Sequence, residues 1–277
     1  MQNLRIVVLV ENTVSTEDLV AEHGLSVWIE TGGKRFLFDT GQGGALAVNA
    51  RVLGIPLETA DAVCLSHGHY DHTGGLIHVL IKGRPTVYLH PASLDMKYSC
   101  RVMGKARDIG MPPEVRELVR SAPDLRWIQG PTEVWPGMFL TGPVPRLTGF
   151  EDTGGAFYSD EACRMPDDLP DDQAAFLDTD EGLVVILGCA HAGVINTLRY
   201  ILEISGKTRI RAVMGGMHLL FAGERRMRET VSALRELDVR ALYPAHCTGS
   251  EAAGRLSREF PGQCFPFPAG MVLELGG

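Results

Sequence analysis

Residues 66–75 read SHGHYDHTGG, which places His67, His69, Asp71 and His72 within six consecutive positions and follows them with two glycines. Histidines kept for packing occur singly, each satisfied by its own partner. A cluster that includes a carboxylate is coordinating chemistry. In an extended loop, residues two apart point the same way, so His67 and His69 can grip one metal ion while Asp71 and His72 turn into a helix start and can face a second. Such donors suit zinc, iron or manganese. Gly68 permits the tight backbone, and Gly74 with Gly75 lets the helix approach a sheet closely.

Of nine histidines, six stand just past a strand-like run and before a helix-like one: His67, His69, His72, His191, His218 and His246. Open α/β sheets bind ligands at the carboxyl ends of their strands. If these strands lie side by side, the six imidazoles converge on one rim. His23, His78 and His90 lack that clustering and read as structural, although His90 also follows a strand, TVYLH.

The elements that must carry this rim alternate. LRIVVLVE opens the chain, and LSVWIE and KRFLFDT flank Gly32 and Gly33 as a hairpin. Four strand-helix units follow: DAVCLS with TGGLIHVLIK, GLVVILG with AGVINTLRYILEIS, RIRAVMGG with GERRMRETVSALRELD, and RALYPA with SEAAGRLSREF. This is mixed α/β architecture with helices packed on sheets. Val194, Leu198, Ile201 and Leu202 share one helix face, as do Met227, Val231, Leu234 and Leu237, and both faces read as core. The charges of GERRMRE read as the solvated side of its helix. Between Pro91 and Gln173 the pattern weakens into loops, with one short helix near PPEVRELVR.

Composition bounds the function. At 277 residues, 45% hydrophobic and 22% charged, the chain is an ordinary globular protein, and its net charge of −8 argues against a general nucleic-acid binder. The start, MQNLRIVVLVEN, lacks a basic region ahead of a long apolar stretch, and the longest uncharged run, 182–198, falls short of a membrane span. The six cysteines form no CxxC pair and read as reduced thiols. The expectation is a soluble, cytoplasmic protein with a small-molecule substrate and no nucleic-acid or membrane partner.

H-x-H-x-D-H is the signature of the metallo-β-lactamase superfamily, which the chain resembles along most of its length. The resemblance includes FLFDTG, where Asp39 is implied to support the metal loop from behind. It implies a four-layer αββα sandwich with an irregular middle insertion, one domain over residues 1–277, and one or two metal ions at the sheet edges. ENTVS, GPVPRLTGFE, GCAHAGVINTL, GGMHLL and YPAHCTG are similar to the subgroup of dihydropterin ribofuranosylaminobenzene phosphate synthase and related metal-dependent hydrolases. The superfamily pattern carries a further histidine and then a bridging aspartate before its last histidine. Here no histidine lies between His90 and His191, and Cys189 stands where the aspartate follows VVILG. The resemblance therefore implies His191 as the missing ligand and His246 as the terminal one. Cys189 is the alternative, since a thiolate is a competent zinc ligand.

The implied activity is metal-dependent hydrolysis, in which a bound metal acidifies water and polarises the electrophile while a side chain handles the leaving group's proton. His67, His69 and His191 are assigned to one divalent ion and Asp71, His72 and His246 to the other, zinc ahead of iron or manganese. Asp71 and His218 are the candidate catalytic groups. Arg146 and His218 are the candidate contacts to a small anionic ester or lactone. His218 has no counterpart in the common pattern, so a ligand role stays open for it beside the favoured substrate or proton role. The subgroup also implies an alternative, a pterin-pathway transferase in which the metal activates a substrate hydroxyl or phosphate. Iron on the same fold would give a mononuclear oxidoreductase, whereas the diiron oxygen-reducing branch carries glutamate where His69 stands.

Overall fold

The computed structural model describes residues 3–102 and 105–276. In chain order the strands are β1 (Leu4–Val10), β2 (Ser26–Thr31), β3 (Lys34–Phe38), β4 (Ala62–Cys64), β5 (Thr86–Leu89), β6 (Tyr98–Val102), β7 (Lys105–Asp108) and β8 (Leu125–Trp127). There follow β9 (Thr132–Trp135), β10 (Met138–Leu140), β11 (Phe157–Tyr158), β12 (Ala174–Thr179), β13 (Gly182–Leu187), β14 (Ile210–Gly216), β15 (Leu242–Ala245) and β16 (Val272–Leu275). The helices are α1 (Leu46–Val52), α2 (Tyr70–Thr73), α3 (Leu76–Leu80), α4 (Pro113–Arg120), α5 (Val194–Ser205), α6 (Glu224–Glu236) and α7 (Ser250–Glu259).

One sheet orders its strands β16-β1-β2-β3-β4-β5-β8 and another β15-β14-β13-β12-β10-β9, with a small third sheet β11-β6-β7. The pleat explains how they stack, because successive side chains leave opposite faces of a strand. From β1, Leu4, Ile6 and Val8 enter the core between the two large sheets, while Val7 and Leu9 enter a second core under α1, α3 and α4. From β13, Val184 and Ile186 face the same inter-sheet core, and Leu183, Val185 and Leu187 meet α5, α6 and α7. Strands buried on both faces must be apolar throughout, which is why LRIVVLV and GLVVIL show no alternation. The result is helix, sheet, sheet, helix.

Site-bearing strands run parallel. β3, β4, β5 and β8 pair in parallel in one sheet, and β13, β14 and β15 in the other. The segments just past β4, β13, β14 and β15, the short helix α2 among them, hold the six clustered histidines.

Several expectations need correction. In place of one helix over TGGLIHVLIK there are two, α2 and α3, which meet at Gly74 and Gly75, and a Cβ at Gly75 would stand 2.0 Å from the Thr40 carbonyl oxygen. The middle segment carries α4 as expected but also β6 to β11, whose short strands are too brief for alternation to show. Cys100 and Cys163 are disulfide-bonded, with Cα atoms 6.5 Å apart and a sequence separation of 63, so these two are not reduced thiols. Their separation hid the pairing, and the pairing removes the support that reduced cysteines lent to a cytoplasmic location. Arg226 of GERRMRE is only 6% exposed, because the loop at Asp152 covers it and accepts its hydrogen bond. Among the described residues no helix is long and apolar enough to cross a membrane.

Candidate metal centre

Five strand ends meet at the site, those of β3, β4, β13, β14 and β15, and all but β4 turn through a non-glycine residue of positive φ: Asp39 (58°), Ala190 (52°), His218 (47°) and His246 (51°). A left-handed residue costs on the order of 1 kcal/mol, more for a residue lacking a short polar side chain. Such strain persists where the surroundings over-determine it, and it clusters at functional sites.

The donors fall into two sets. In one, His67 Nε2 stands 2.9 Å from His69 Nδ1, and the donor atoms of His67, Cys189 and His191 lie within 4.8 Å of one another. In the other, His72 Nε2 is 3.3 Å from His246 Nε2, and Asp71 Oδ2 is 3.3 Å from His246 Nε2 and 3.8 Å from His72 Nε2. Ligands placed tetrahedrally at ~2.1 Å from an ion have edges of about 3.4 Å. The second set matches that spacing. Cys189 Sγ lies 3.2 Å from His72 Nε2, so this thiol belongs to both sets. Cys189 and His191, alternatives in the sequence, are brought together here.

The far nitrogen of four rings is engaged. His72 Nδ1 donates to Asp39 Oδ2 at 2.7 Å. The Ser66 hydroxyl donates to the same carboxylate at 2.7 Å and accepts from His67 Nδ1 at 2.9 Å. His191 Nδ1 donates to the Thr153 carbonyl at 2.8 Å, and His246 Nδ1 to Asn12 Oδ1 at 3.0 Å. Carboxylates and carbonyls only accept, so these contacts place a proton on Nδ1 and leave each Nε2 facing inward, free to bind a metal once any proton on it is displaced. Nε2 of His69 and of His191 are buried without a hydrogen-bond partner. An unpaired buried nitrogen costs about 1–3 kcal/mol, and a divalent cation is the partner that this donor set fits.

Electrostatics separate the halves. Burial is the main cause that pushes His67, His69 and His191 below the usual imidazole range, His69 to about 3, so these rings are neutral and ligand-competent. Burial also opposes charge on His72, yet the carboxylates of Asp39 and Asp71 prevail and raise it to about 9. Asp71, although burial acts upward, is held well below the usual carboxylate range by His72, His23 and His246. One half is neutral imidazole, and the other carries the carboxylate.

Residues distant in sequence complete the frame. Glu11 Oε1 accepts the backbone N–H of His246 at 2.7 Å, which gives ENTVS a structural task. Asp171 Oδ2 accepts Gly68 N–H at 2.7 Å, and Asp172 Oδ2 accepts Ala192 N–H at 2.8 Å. Lys97, 1% exposed, offsets Asp171 at 2.9 Å and Asp167 at 3.1 Å. His23 corrects the sequence reading: its Nε2 is 3.2 Å from Asp71 Oδ2 and its ring 4.7 Å from that of His246, so it joins the centre. Nothing in its spacing signalled this. His78 and His90 lie outside both donor sets, bonded to the Gly43 carbonyl and the Ala92 N–H.

A cavity of about 1160 Å³ opens onto the centre, reaching His69, Asp71, Cys189, His218 and His246. Ile109, Phe157 and Phe267 supply apolar wall, with Tyr70 and Arg107 on the rim side. Arg107 Nη2 donates to the Tyr70 hydroxyl at 3.0 Å, and its guanidinium lies 5.1 Å from the centre of that ring. Arg146, the other candidate anion contact, is placed differently. It is absent from the cavity lining and donates instead to the Asp168 carbonyl at 2.6 Å, a bond that holds it on the surface. His218 lines the cavity, 4.4 Å from His191 between ring centres.

Residues 19–246 match the metallo-beta-lactamase superfamily. The 7,8-dihydropterin-6-methyl-4-(beta-D-ribofuranosyl)-aminobenzene-5'-phosphate synthase of Methanocaldococcus jannaschii is 27% identical, over 99% of this chain and 97% of its own length. An uncharacterized protein of the same organism is 34% identical over 91% of this chain and 94% of its own. Among solved structures, Tm1679, a metal-dependent hydrolase of the beta-lactamase superfamily, is 35% identical with a TM-score of 0.83, covering 99% of this chain and 100% of that one. YhfI from Bacillus subtilis, 15% identical with a TM-score of 0.60 over 99% of this chain and 100% of its own, shares the fold alone. The match over residues 19–246, joined to the αββα layering and the donor cluster at the sheet edges, shows that this chain belongs to the metallo-beta-lactamase superfamily.

Proposed function

We propose that the protein is a metal-dependent hydrolase of a small anionic ester or lactone. The observation that carries this reading is the convergence of two donor sets, their far nitrogens already bonded, on the floor of a partly apolar cavity. His67, His69 and His191 would hold one divalent ion, and Asp71, His72 and His246 the other, with zinc the first expectation for imidazole, carboxylate and thiol donors. A metal bound there supplies Lewis acidity and lowers the pKa of water towards neutrality.

The chain's own residues bind and orient. Arg107 holds the anionic group of the substrate at the cavity mouth in place of Arg146, and Phe157 and Phe267 exclude water from its apolar part. His23, exposed and bonded to Asp71, relays a proton between the centre and solvent. Its pKa is raised, first by the hydrogen bond to Asp71 and against the effect of burial, so it stays protonated to higher pH than a free histidine.

The test is to assay phosphoesters and lactones without any acceptor, with elemental analysis on the same preparation. Turnover that disappears with the metal in His69→Ala supports the reading. A fully active metal-free protein overturns it. A pterin-pathway transfer is the second reading, favoured by the 27% identical synthase, and it predicts product only when an acceptor is supplied.

A further inference from the structure

We propose that Cys189, His218 and Cys247 form a soft-donor site for a thiophilic divalent ion, zinc or cobalt, next to the imidazole and carboxylate donors and sharing Cys189 with them. The proposal goes beyond the hydrolase reading. It leans on that reading only for the neighbouring centre.

Three adjacent parallel strands, β13, β14 and β15, each deliver one of these side chains just beyond their carboxyl ends. One ligand atom from each lies within 4.8 Å of the others. Sulfur ligands at ~2.3 Å in a tetrahedral site stand about 3.8 Å apart, so the set needs little movement to close on an ion. Cys189 is 3% exposed and Cys247 7%, and both reach the cavity, as does His218, which leaves a direction open for an exogenous ligand.

The local packing makes room for sulfur. A Cβ at Gly216, the last residue of β14, would stand 2.6 Å from Cys247 Sγ and 3.3 Å from the Cys189 Cα, so a side chain there would displace the thiol. His218 is clamped in turn. A Cβ at Gly154 would fall 1.8 Å from its Cδ2, its φ is 47°, and its Nδ1 is buried without a hydrogen-bond partner. Packing alone accounts poorly for this. The Cys247 thiol has a 3.7 Å contact to the Cys189 carbonyl and also meets the side chains of Cys189 and His218, so the three groups already touch one another.

The chemistry follows from donor softness. Two thiolates and an imidazole select zinc or cobalt over manganese or magnesium, which prefer oxygen. His218 thereby takes the ligand role among those the sequence left open, and the cysteine in the aspartate's place gains a second sulfur as companion.

The experiment is X-ray absorption at the metal edge on the full-length zinc-loaded protein, with cobalt titration followed by absorption spectroscopy. The expected result is a sulfur shell near ~2.3 Å and a thiolate-to-cobalt charge-transfer band. Cys247→Ser should lower metal content by about one ion per chain and reduce the sulfur signal and band to what Cys189 alone gives the neighbouring donors. Should that variant fail to fold, His218→Asn reads the same site, expected to release the ion more easily while the imidazole set stays loaded. A loaded wild type with only nitrogen and oxygen neighbours overturns this proposal alone, as does a Cys247→Ser or His218→Asn protein with unchanged metal content and spectrum. A protein that takes up no metal at all overturns the neighbouring centre as well.

Discussion

Asn12 Oδ1 lies 3.0 Å from Nδ1 of His246, a residue 234 positions away, and thereby turns the other ring nitrogen towards Asp71 and His72. Residues that orient a metal-bound histidine typically set 10- to 100-fold in affinity. Asn12→Ala should therefore weaken metal binding by about 10- to 100-fold and Asn12→Asp should retain it. Chelator competition measures both, and equal affinity in wild type and Asn12→Ala refutes the orienting role.

His69→Ala and His191→Ala should each lower metal content as well as rate, because each removes a donor that converges on His67. The sequence favoured little change for Cys189→Ala. With Sγ 3.2 Å from His72 Nε2 and inside both donor sets, the structure leads to the opposite expectation, a clear fall in metal content. Elemental analysis of the three variants side by side separates the contributions.

Arg107 and Arg146 make a paired test of the anion contact. A charge-assisted hydrogen bond is worth ~1.5–3 kcal/mol, so Arg107→Ala should raise KM for an anionic substrate by roughly 10- to 100-fold with kcat less affected. Arg146→Ala should leave KM unchanged, since its guanidinium is bonded to the Asp168 carbonyl outside the cavity lining. The reverse pattern would return the anion site to Arg146.

Lys97 and Asp171 give a pH signature. Burial lowers the Lys97 pKa but the two aspartates prevail and raise it; burial raises that of Asp171 but Lys97 prevails and lowers it. The lysine's contribution is complete below the ordinary lysine value near ~10.4 and disappears as pH climbs through its raised value. The aspartate's contribution is complete above the ordinary value near ~3.9 and disappears as pH falls through its lowered value. Lys97→Met should cost about 3–5 kcal/mol at neutral pH by stranding a buried charge. The gap in Tm between variant and wild type should narrow at both extremes. A gap independent of pH would mean that shape alone, not charge, sustains the site.

The legible parts of the molecule were those in which the signal is local. His67, His69, Asp71 and His72 are contiguous, and β1, β13 and α5 carry patterns long enough to register. His23, Asn12 and Cys247 reach the centre only through tertiary closure, from positions where one residue says nothing about its neighbour in space. Arg226 failed for a related reason: a charged residue on an amphipathic helix reads as solvated until a loop such as that at Asp152 is known to cover it. The strand-end pattern put both His191 and His218 at the rim, where they lie, but the superfamily resemblance had no role to offer for His218.

Asp171 and Asp172 are neighbours in the chain, yet one carboxylate grips the Gly68 amide and the other the Ala192 amide, on opposite banks of the centre. Their Cα atoms are joined by a trans peptide about 3.8 Å long. The two banks are thus tied to one peptide unit through two short side chains, which limits how far they can part. Drift in the surrounding core would be absorbed elsewhere, while a single residue inserted between this pair would pull the banks out of step.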